Sequence, residues 1–211
     1  MNQKDFIREF DFKFKKKFGQ NFLTDDNILN NIITSSGVDK DTLVIEIGCG
    51  AGALTKKIVN SAKAVIGYEI DETLKPILST IEGADIIFCD FLKRNIKEDI
   101  SKYEYKKLYV IANLPYYITT PIITKVIEEI EPDRIVVMIQ DEVADRLSAT
   151  HGNRDYGMIS AYLSSRYDVK KLFKVSRNCF KPAPNVDSAV ISLDKHNKYK
   201  IEITFCNIHI I

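Results

Sequence analysis

Thr42-Leu-Val-Ile-Glu-Ile-Gly-Cys-Gly-Ala-Gly52 decides how the rest of the chain is read. Its first half is an apolar, β-branched run, and its second half carries Gly48, Gly50 and Gly52. A strand that is apolar at nearly every position leaves no face for water, so it belongs in a parallel sheet covered on both sides. Glycines directly after such a strand let the backbone turn sharply and let a ligand approach the start of the next helix. Gly48, Gly50 and Ala53 also fit the G-x-G-x-x-G/A pattern of nucleotide-type cofactor loops. Taken alone, the glycines are also compatible with a turn that binds nothing.

The same strand pattern recurs at Ala64–Glu69, Asp85–Phe88, Lys107–Ala112 and Arg134–Ile139. Helical patterns fill the gaps. Asp25 or Asp26 can cap a helix carrying Ile28, Leu29, Ile32 and Ile33 that ends near Gly37. Asp71 can cap another with Leu74, Ile77 and Leu78. Thr120-Pro121 opens a third, with proline at the first helical position and an apolar stripe from Ile122 to Ile130. Strand–helix alternation of this kind predicts a right-handed, doubly wound α/β sheet. Val169–Val175 and Val186–Leu193 are strand-like too, and the segment around Phe180–Asn185 leaves no room for a helix between them. They should pair antiparallel at the sheet edge. The expected fold is therefore Rossmann-like α/β, a mostly parallel seven-stranded sheet with a terminal antiparallel hairpin.

Composition narrows the class. The chain has 211 residues, 45% hydrophobic and 28% charged, which is enough apolar material for a core and excludes disorder. No apolar run approaches the roughly 18 residues of a membrane-spanning helix. The charged start of the chain has no apolar stretch typical of a secretion signal. Cys49, Cys89, Cys179 and Cys206 show no C-x-x-C spacing, so neither a metal site nor a disulfide scaffold is expected, and they read as reduced thiols of a cytoplasmic protein. His151, His196 and His209 read as bystanders.

Candidate site residues cluster after the strands. Glu69 ends the second strand about 20 residues past the glycines, where a carboxylate can accept two hydrogen bonds from ribose hydroxyls. Asp90, just past the third strand, can accept from an adenine amino group, with Phe91 beside the ring. Asn113-Leu-Pro-Tyr-Tyr-Ile-Thr-Thr-Pro121 follows the fourth strand, at the sheet edge where ligands bind in open α/β folds. Asn113 offers a side-chain acceptor, Pro115 keeps the preceding Leu114 extended so that carbonyl oxygens can face the site, and Tyr116 supplies a flat ring. Acceptors beside an aromatic face suit an exocyclic amine on a flat base.

The motif Asn113-Leu-Pro-Tyr116 resembles that of adenine-N6 methyltransferases. With Gly19-Gln-Asn-Phe-Leu23, Glu46-Ile-Gly-Cys-Gly50, Gln140–Leu147, Tyr156-Gly157 and Phe180-Lys-Pro-Ala-Pro-Asn-Val-Asp-Ser188, the chain resembles the KsgA family of small-subunit rRNA dimethyladenosine transferases from about residue 15 to about residue 195. Thr119-Thr-Pro121 and Pro182–Ser188 follow that family rather than the sister Erm group, which methylates large-subunit rRNA. The resemblance implies a class I methyltransferase domain over 25–195, preceded by a basic segment, 1–24, that contributes to the cofactor site. It also implies a helical C-terminal domain in relatives, so 196–211 reads as the remnant of a truncated C-terminal region.

The implied cofactor is S-adenosylmethionine. Asn21 and Leu23 would contact it, Gly48 and Gly50 would approach its methionine part, Glu69 the ribose and Asp90 the adenine. Asn113 would sit between cofactor and substrate, Tyr116 would stack on the target adenine, and Phe180 would cover its other face. The implied substrate is a pair of adjacent adenines in a hairpin near the 3′ end of small-subunit rRNA, each dimethylated at N6 by a monomeric enzyme during ribosome biogenesis. A loop adenine is the cheapest to unstack and insert.

The net charge of +1 conceals an uneven distribution. Lys15, Lys16 and Lys17 lead into Gly19–Leu23, and Lys170, Lys171, Lys174, Arg177 and Lys181 surround Phe180. These two stretches are expected to flank one groove and hold rRNA phosphates. A noncatalytic rRNA-binding assembly factor and an Erm-like large-subunit methyltransferase are the alternatives. A nicotinamide-dependent oxidoreductase would account for the glycine loop but not for Asn113–Tyr116 or Phe180.

Overall fold

The computed structural model describes residues 20–198. Seven strands form the main sheet: β2 (Thr42–Ile47), β3 (Ala64–Glu69), β4 (Ala84–Phe88), β5 (Lys107–Asn113), β6 (Arg134–Gln140), β7 (Tyr167–Val175) and β9 (Ser188–Lys195). Their order is β4-β3-β2-β5-β6-β9-β7. The pairs among β2 to β6 are parallel, whereas β9 runs antiparallel to both β6 and β7. The expected mostly parallel sheet with a terminal hairpin is what forms.

Side-chain alternation explains why the sheet needs cover on both faces. Leu43, Ile45 and Ile47 of β2 join one core cluster, with Val110 and Ala112 of β5 and Ile135, Val137 and Ile139 of β6. Val44, Ile111, Val136 and Met138 join the cluster on the opposite face. Each of the valine, leucine, isoleucine and methionine side chains stabilises the fold by roughly 1.5–3 kcal/mol through burial.

Helices cover these faces: α1 (Asp26–Ser36), α2 (Ala53–Ser61), α3 (Lys75–Leu78), α4 (Ile96–Ile100), α5 (Thr119–Ile130), α6 (Asp141–Leu147) and α7 (Met158–Ser164). Asp25 caps α1, accepting from the Asn27 and Ile28 amides, and Gly37 ends it at φ 62°. Asp71 caps the 3-10 turn before α3. The helix expected to open at Thr120-Pro121 starts earlier, at Thr119. Pro121 therefore falls at its third residue, still in the first turn, where a missing amide hydrogen costs no internal hydrogen bond.

A second, two-stranded sheet was not expected. β1 (Phe22–Leu23) pairs antiparallel with β8 (Phe180–Lys181), joining Phe22 to Lys181 and Leu23 to Phe180 in register. Thr24 reinforces the pair, its amide and hydroxyl both donating to the Cys179 carbonyl at 2.8 and 3.0 Å.

The strand order reverses between β2 and β5. Their ladder runs only from Thr42↔Lys107 to Ile45↔Val110, although both strands continue further. The carboxyl ends thus part and open a crevice at the switch point, where open α/β sheets bind ligands. Among the described residues, no helix is long and apolar enough to cross a membrane.

Candidate functional site

A cleft of about 1060 Å³, including its open mouth, occupies this crevice. Its walls include Asn21, Leu23, Gly48, Gly50, Glu69, Asp90, Asn113, Leu114, Pro115 and Tyr116, so the cofactor-side residues and the Asn113–Tyr116 turn converge on one cavity. Glu46, Glu69 and Asp90 contribute carboxyl groups to its wall, and among the described residues no lysine, arginine or histidine is part of it.

The glycine loop makes the floor. Gly48, Gly50 and Gly52 take φ values of 76°, 55° and 77°. A Cβ on Gly48 would lie 3.7 Å from Pro115 Cδ and 3.8 Å from the Asn113 carbonyl oxygen, closing the gap between the loop and the facing turn. A Cβ on Gly52 would run into Ile81 Cδ1.

Glu69 is nearly buried and holds the loop in place. Its Oε2 accepts from the Gly50 amide, and its Oε1 accepts from the Ile70 and Asp71 amides, each at 2.8 Å. A carboxylate has roughly four lone-pair sites, so about one is left, on Oε2, rather than the two expected for ribose hydroxyls. Burial raises the Glu69 carboxyl, and the three backbone donors oppose that shift. Beneath the loop, Glu46 is 1% exposed and its Oε2 has no hydrogen-bond partner among the described residues. Burial pushes its carboxyl up to about 8, with the Thr55 hydroxyl and Cys49 thiol opposing and the Glu69 charge adding to the rise.

Asp90 lies on the cavity wall and also caps the following 3-10 turn, accepting from the Leu92 amide at 3.1 Å. Phe91 packs edge-on against Tyr68 at 5.1 Å.

The turn after β5 is held from several sides. Leu114 donates its amide to the Met138 carbonyl at 3.1 Å. The Pro115 carbonyl accepts from the Ile118 amide and the Thr119 hydroxyl. The Asn113 Nδ2 donates to the Asn21 carbonyl at 3.2 Å, which orients the amide and leaves Oδ1 as an acceptor. The Tyr116 phenol lies 2.6 Å from the Ser188 hydroxyl. Burial raises that phenol, and Ser188 opposes the rise.

Phe180 is 5% exposed and belongs to the inner cluster with Leu23 and Leu29; among the described residues it does not line the cavity. The cause is the β1–β8 ladder, which sets Phe180 opposite the buried Leu23 and turns Lys181 outward. Tyr117, 57% exposed at the cavity mouth, is the aromatic that sequence reading passed over.

The basic stretches fare unevenly. Lys15, Lys16 and Lys17 lie outside the described residues. Lys171 is held 2.6 Å from both Asp141 and Asp145, and Lys174 is 2.8 Å from Asp141. Burial disfavours charge on Asp141, yet the two lysines hold its carboxyl below the usual range. These two cations thus pair with carboxylates of α6, and Lys174 stays largely exposed beside its partner. Arg177 Nη1 donates to the Asn185 carbonyl, whereas Lys170 and Lys181 are exposed and form no ion pair among the described residues.

Gln20 has no role that its sequence motif announces. In the structure its Nε2 donates to Asp71 Oδ2 at 2.7 Å, fastening the segment before β1 to the turn after β3. No cluster of metal ligands occurs among the described residues.

Strand order, the glycine loop and the cleft at the switch point together define a class I methyltransferase fold. Solved structures agree. A dimethyladenosine transferase from Plasmodium falciparum superposes with TM-score 0.73 at 28% identity, over 83% of this chain and 63% of that one. The 23S rRNA methyltransferase ErmE superposes with TM-score 0.72 at 26% identity, over 83% of this chain and 70% of that one. The family described as Ribosomal RNA adenine dimethylase matches residues 11–203, and the chain belongs to it. The Ribosomal RNA small subunit methyltransferase A of Bacillus mycoides (strain KBAB4) is 43% identical over 208 residues, covering 95% of this chain and 71% of that protein. The protein of the same name from Bacillus thuringiensis (strain Al Hakam) matches to the same extent.

Proposed function

We propose that this protein transfers methyl groups from S-adenosylmethionine to N6 of two adjacent adenines in a hairpin near the 3′ end of small-subunit rRNA. The observation that carries the reading is the fixed Asn113 amide. Its Nδ2 is engaged by Asn21, so Oδ1 is free to accept from an amine beside the Tyr116 ring. The names of the Bacillus relatives support the small subunit over the large one.

The cavity fits the cofactor. Among the described residues its wall offers carboxyl groups and no basic side chain, which suits a cationic nucleoside without phosphates better than a dinucleotide. The space that a Cβ on Gly48 would fill lies between the loop and the Asn113–Pro115 turn, where the methionine part would run. Gly48 and Gly50 would hold that part, the remaining Glu69 lone pair the ribose, Asp90 the adenine, and Asn21 and Leu23 the outer wall.

When bound, S-adenosylmethionine supplies an electrophilic methyl group on a positively charged sulfur. The chain has to make a weak nucleophile attack it, because the adenine amine shares its lone pair with the ring. Asn113 Oδ1 can accept one N–H bond. The Leu114 carbonyl, which has no donor among the described residues, can accept the other. Two acceptors on the amine favour a pyramidal nitrogen with a free lone pair. Positive charge then grows on that nitrogen, and the Tyr116 face stabilises it. Positioning and fixed dipoles do most of the work, and no general base is required before transfer. Lys170 and Lys181, together with the 15–17 lysines, would anchor rRNA phosphates.

The test supplies methyl-labelled S-adenosylmethionine with undermethylated small subunits, and with large subunits as a control. Dimethyladenosine mapped to two neighbouring small-subunit adenines is the expected product. Cofactor binding without any transfer would favour an assembly role, and transfer to the large subunit an Erm-like one.

A further inference from the structure

Ser188 is the first residue of β9 and is fully buried. Its backbone is paired on both sides, with Gln140 of β6 and with Val175 of β7. A side chain on such a site has little freedom to move. Its hydroxyl meets the Tyr116 phenol at 2.6 Å across a separation of 72 residues. Tyr116 itself begins the short 3-10 turn Tyr116–Ile118 and is only partly buried. The near end of that turn is pinned through the Pro115 and Tyr116 carbonyls, both reached by the Thr119 hydroxyl at 3.1 and 3.4 Å. Backbone bonds at that end leave the side-chain torsions open. The contact at the phenol oxygen fixes where the far end of the ring sits.

We propose that Ser188 is a positioning residue that sets the place of the Tyr116 ring relative to the Asn113 acceptor. The inference rests on the methyl-transfer reading above. Asn113 is oriented from one side by the Asn21 carbonyl, just before β1, and Tyr116 from the other by Ser188 of β9, so acceptor and aromatic ring are each held by a segment outside their own turn. A purely structural hydroxyl would act on stability alone. A positioning hydroxyl acts on turnover, since a reacting group displaced by about 1 Å can cost on the order of 100-fold.

The experiment compares full-length wild type, Ser188→Ala, Tyr116→Phe and the double variant in methyl transfer to undermethylated small subunits. Urea unfolding confirms that each is folded. Both single variants should lower kcat by about tenfold with the KM for S-adenosylmethionine unchanged, and the double should lose no more than the worse single, because both remove the same hydrogen bond. Ser188→Thr, which keeps the hydroxyl, should recover part of the lost kcat. Wild-type kcat in Ser188→Ala, or losses that multiply in the double, would overturn the inference. Should Ser188→Ala not fold, Tyr116→Phe decides, since it keeps the ring and leaves the core intact. Lowered kcat at constant cofactor KM supports the proposal, and unchanged kcat overturns it. Wild type without any transfer overturns the parent reading and this inference together; active wild type with unaffected variants overturns this inference alone.

Discussion

Replacing Glu46 with glutamine should remove most of the loss of folding stability between about pH 5 and pH 8. The carboxyl is buried beneath the glycine loop with one oxygen unpartnered, and its titration lies at about 8 against 4.5 for a free carboxyl. The unfolded chain therefore ionises first as pH rises. The stability held by the protonated form is complete below 4.5 and drains away as pH climbs to about 8. At about 1.36 kcal/mol per pH unit, the loss from pH 5 to pH 8 comes to roughly 3–4 kcal/mol, a sizeable part of a stability of about 5–15 kcal/mol. With a urea dependence of about 2–3 kcal/mol/M, the midpoint should fall by roughly 1–2 M. The assay is urea unfolding followed by circular dichroism at several pH values in that range, without cofactor. The glutamine amide never ionises, so the variant starts lower but stays nearly level. Parallel decline of the two proteins would show that Glu46 is charged in the folded state and that the reasoning from its burial is wrong.

Asn113→Ala should keep cofactor affinity within a few-fold yet reduce methyl transfer by on the order of 100-fold, measured by equilibrium binding beside single-turnover transfer; near-normal turnover would remove Asn113 from the amine. Gly52→Ala forces a Cβ at φ 77° into Ile81, and the strained backbone plus overpacking should cost about 2–5 kcal/mol in unfolding experiments. Neutralising Lys15, Lys16 and Lys17 together should weaken rRNA binding and flatten its dependence on salt, by up to about 0.7–0.9 in log–log slope for each phosphate no longer neutralised. Unchanged affinity would take those lysines off the RNA.

The sheet was legible because burial on two faces leaves a plain trace. Thr42–Ile47 and Ala64–Glu69 read as strands with the bounds that the structure gives them. The crevice was legible as well, since the glycines and Asn113 each follow a strand whose end must lie at one edge. What escaped depends on contacts distant in sequence. Nothing local in Phe22–Leu23 announces a strand, because its partner is at Phe180–Lys181. That same pairing buries Phe180, whose role at the site is implied by the family resemblance and not by anything local in its stretch. Lys171 and Lys174 read as part of a basic stripe, and only the packing of α6 against β7 reveals Asp141 and Asp145 beside them. Ser188 gave no signal of its own, since a serine at a strand start acquires meaning only from the phenol it meets.

The β1–β8 ladder also sets when the site can exist. Gln20–Leu23 make one wall of the cavity and orient Asn113, but the strand that holds them ends at Lys181. On the ribosome, the earlier segment must wait for one made about 160 residues later. At about 5–20 residues per second, that interval lasts roughly 10–30 s. The glycine loop and the central strands can assemble during it, while the cavity still lacks a wall. Cofactor binding is thus deferred until the catalytic fold is nearly all synthesised.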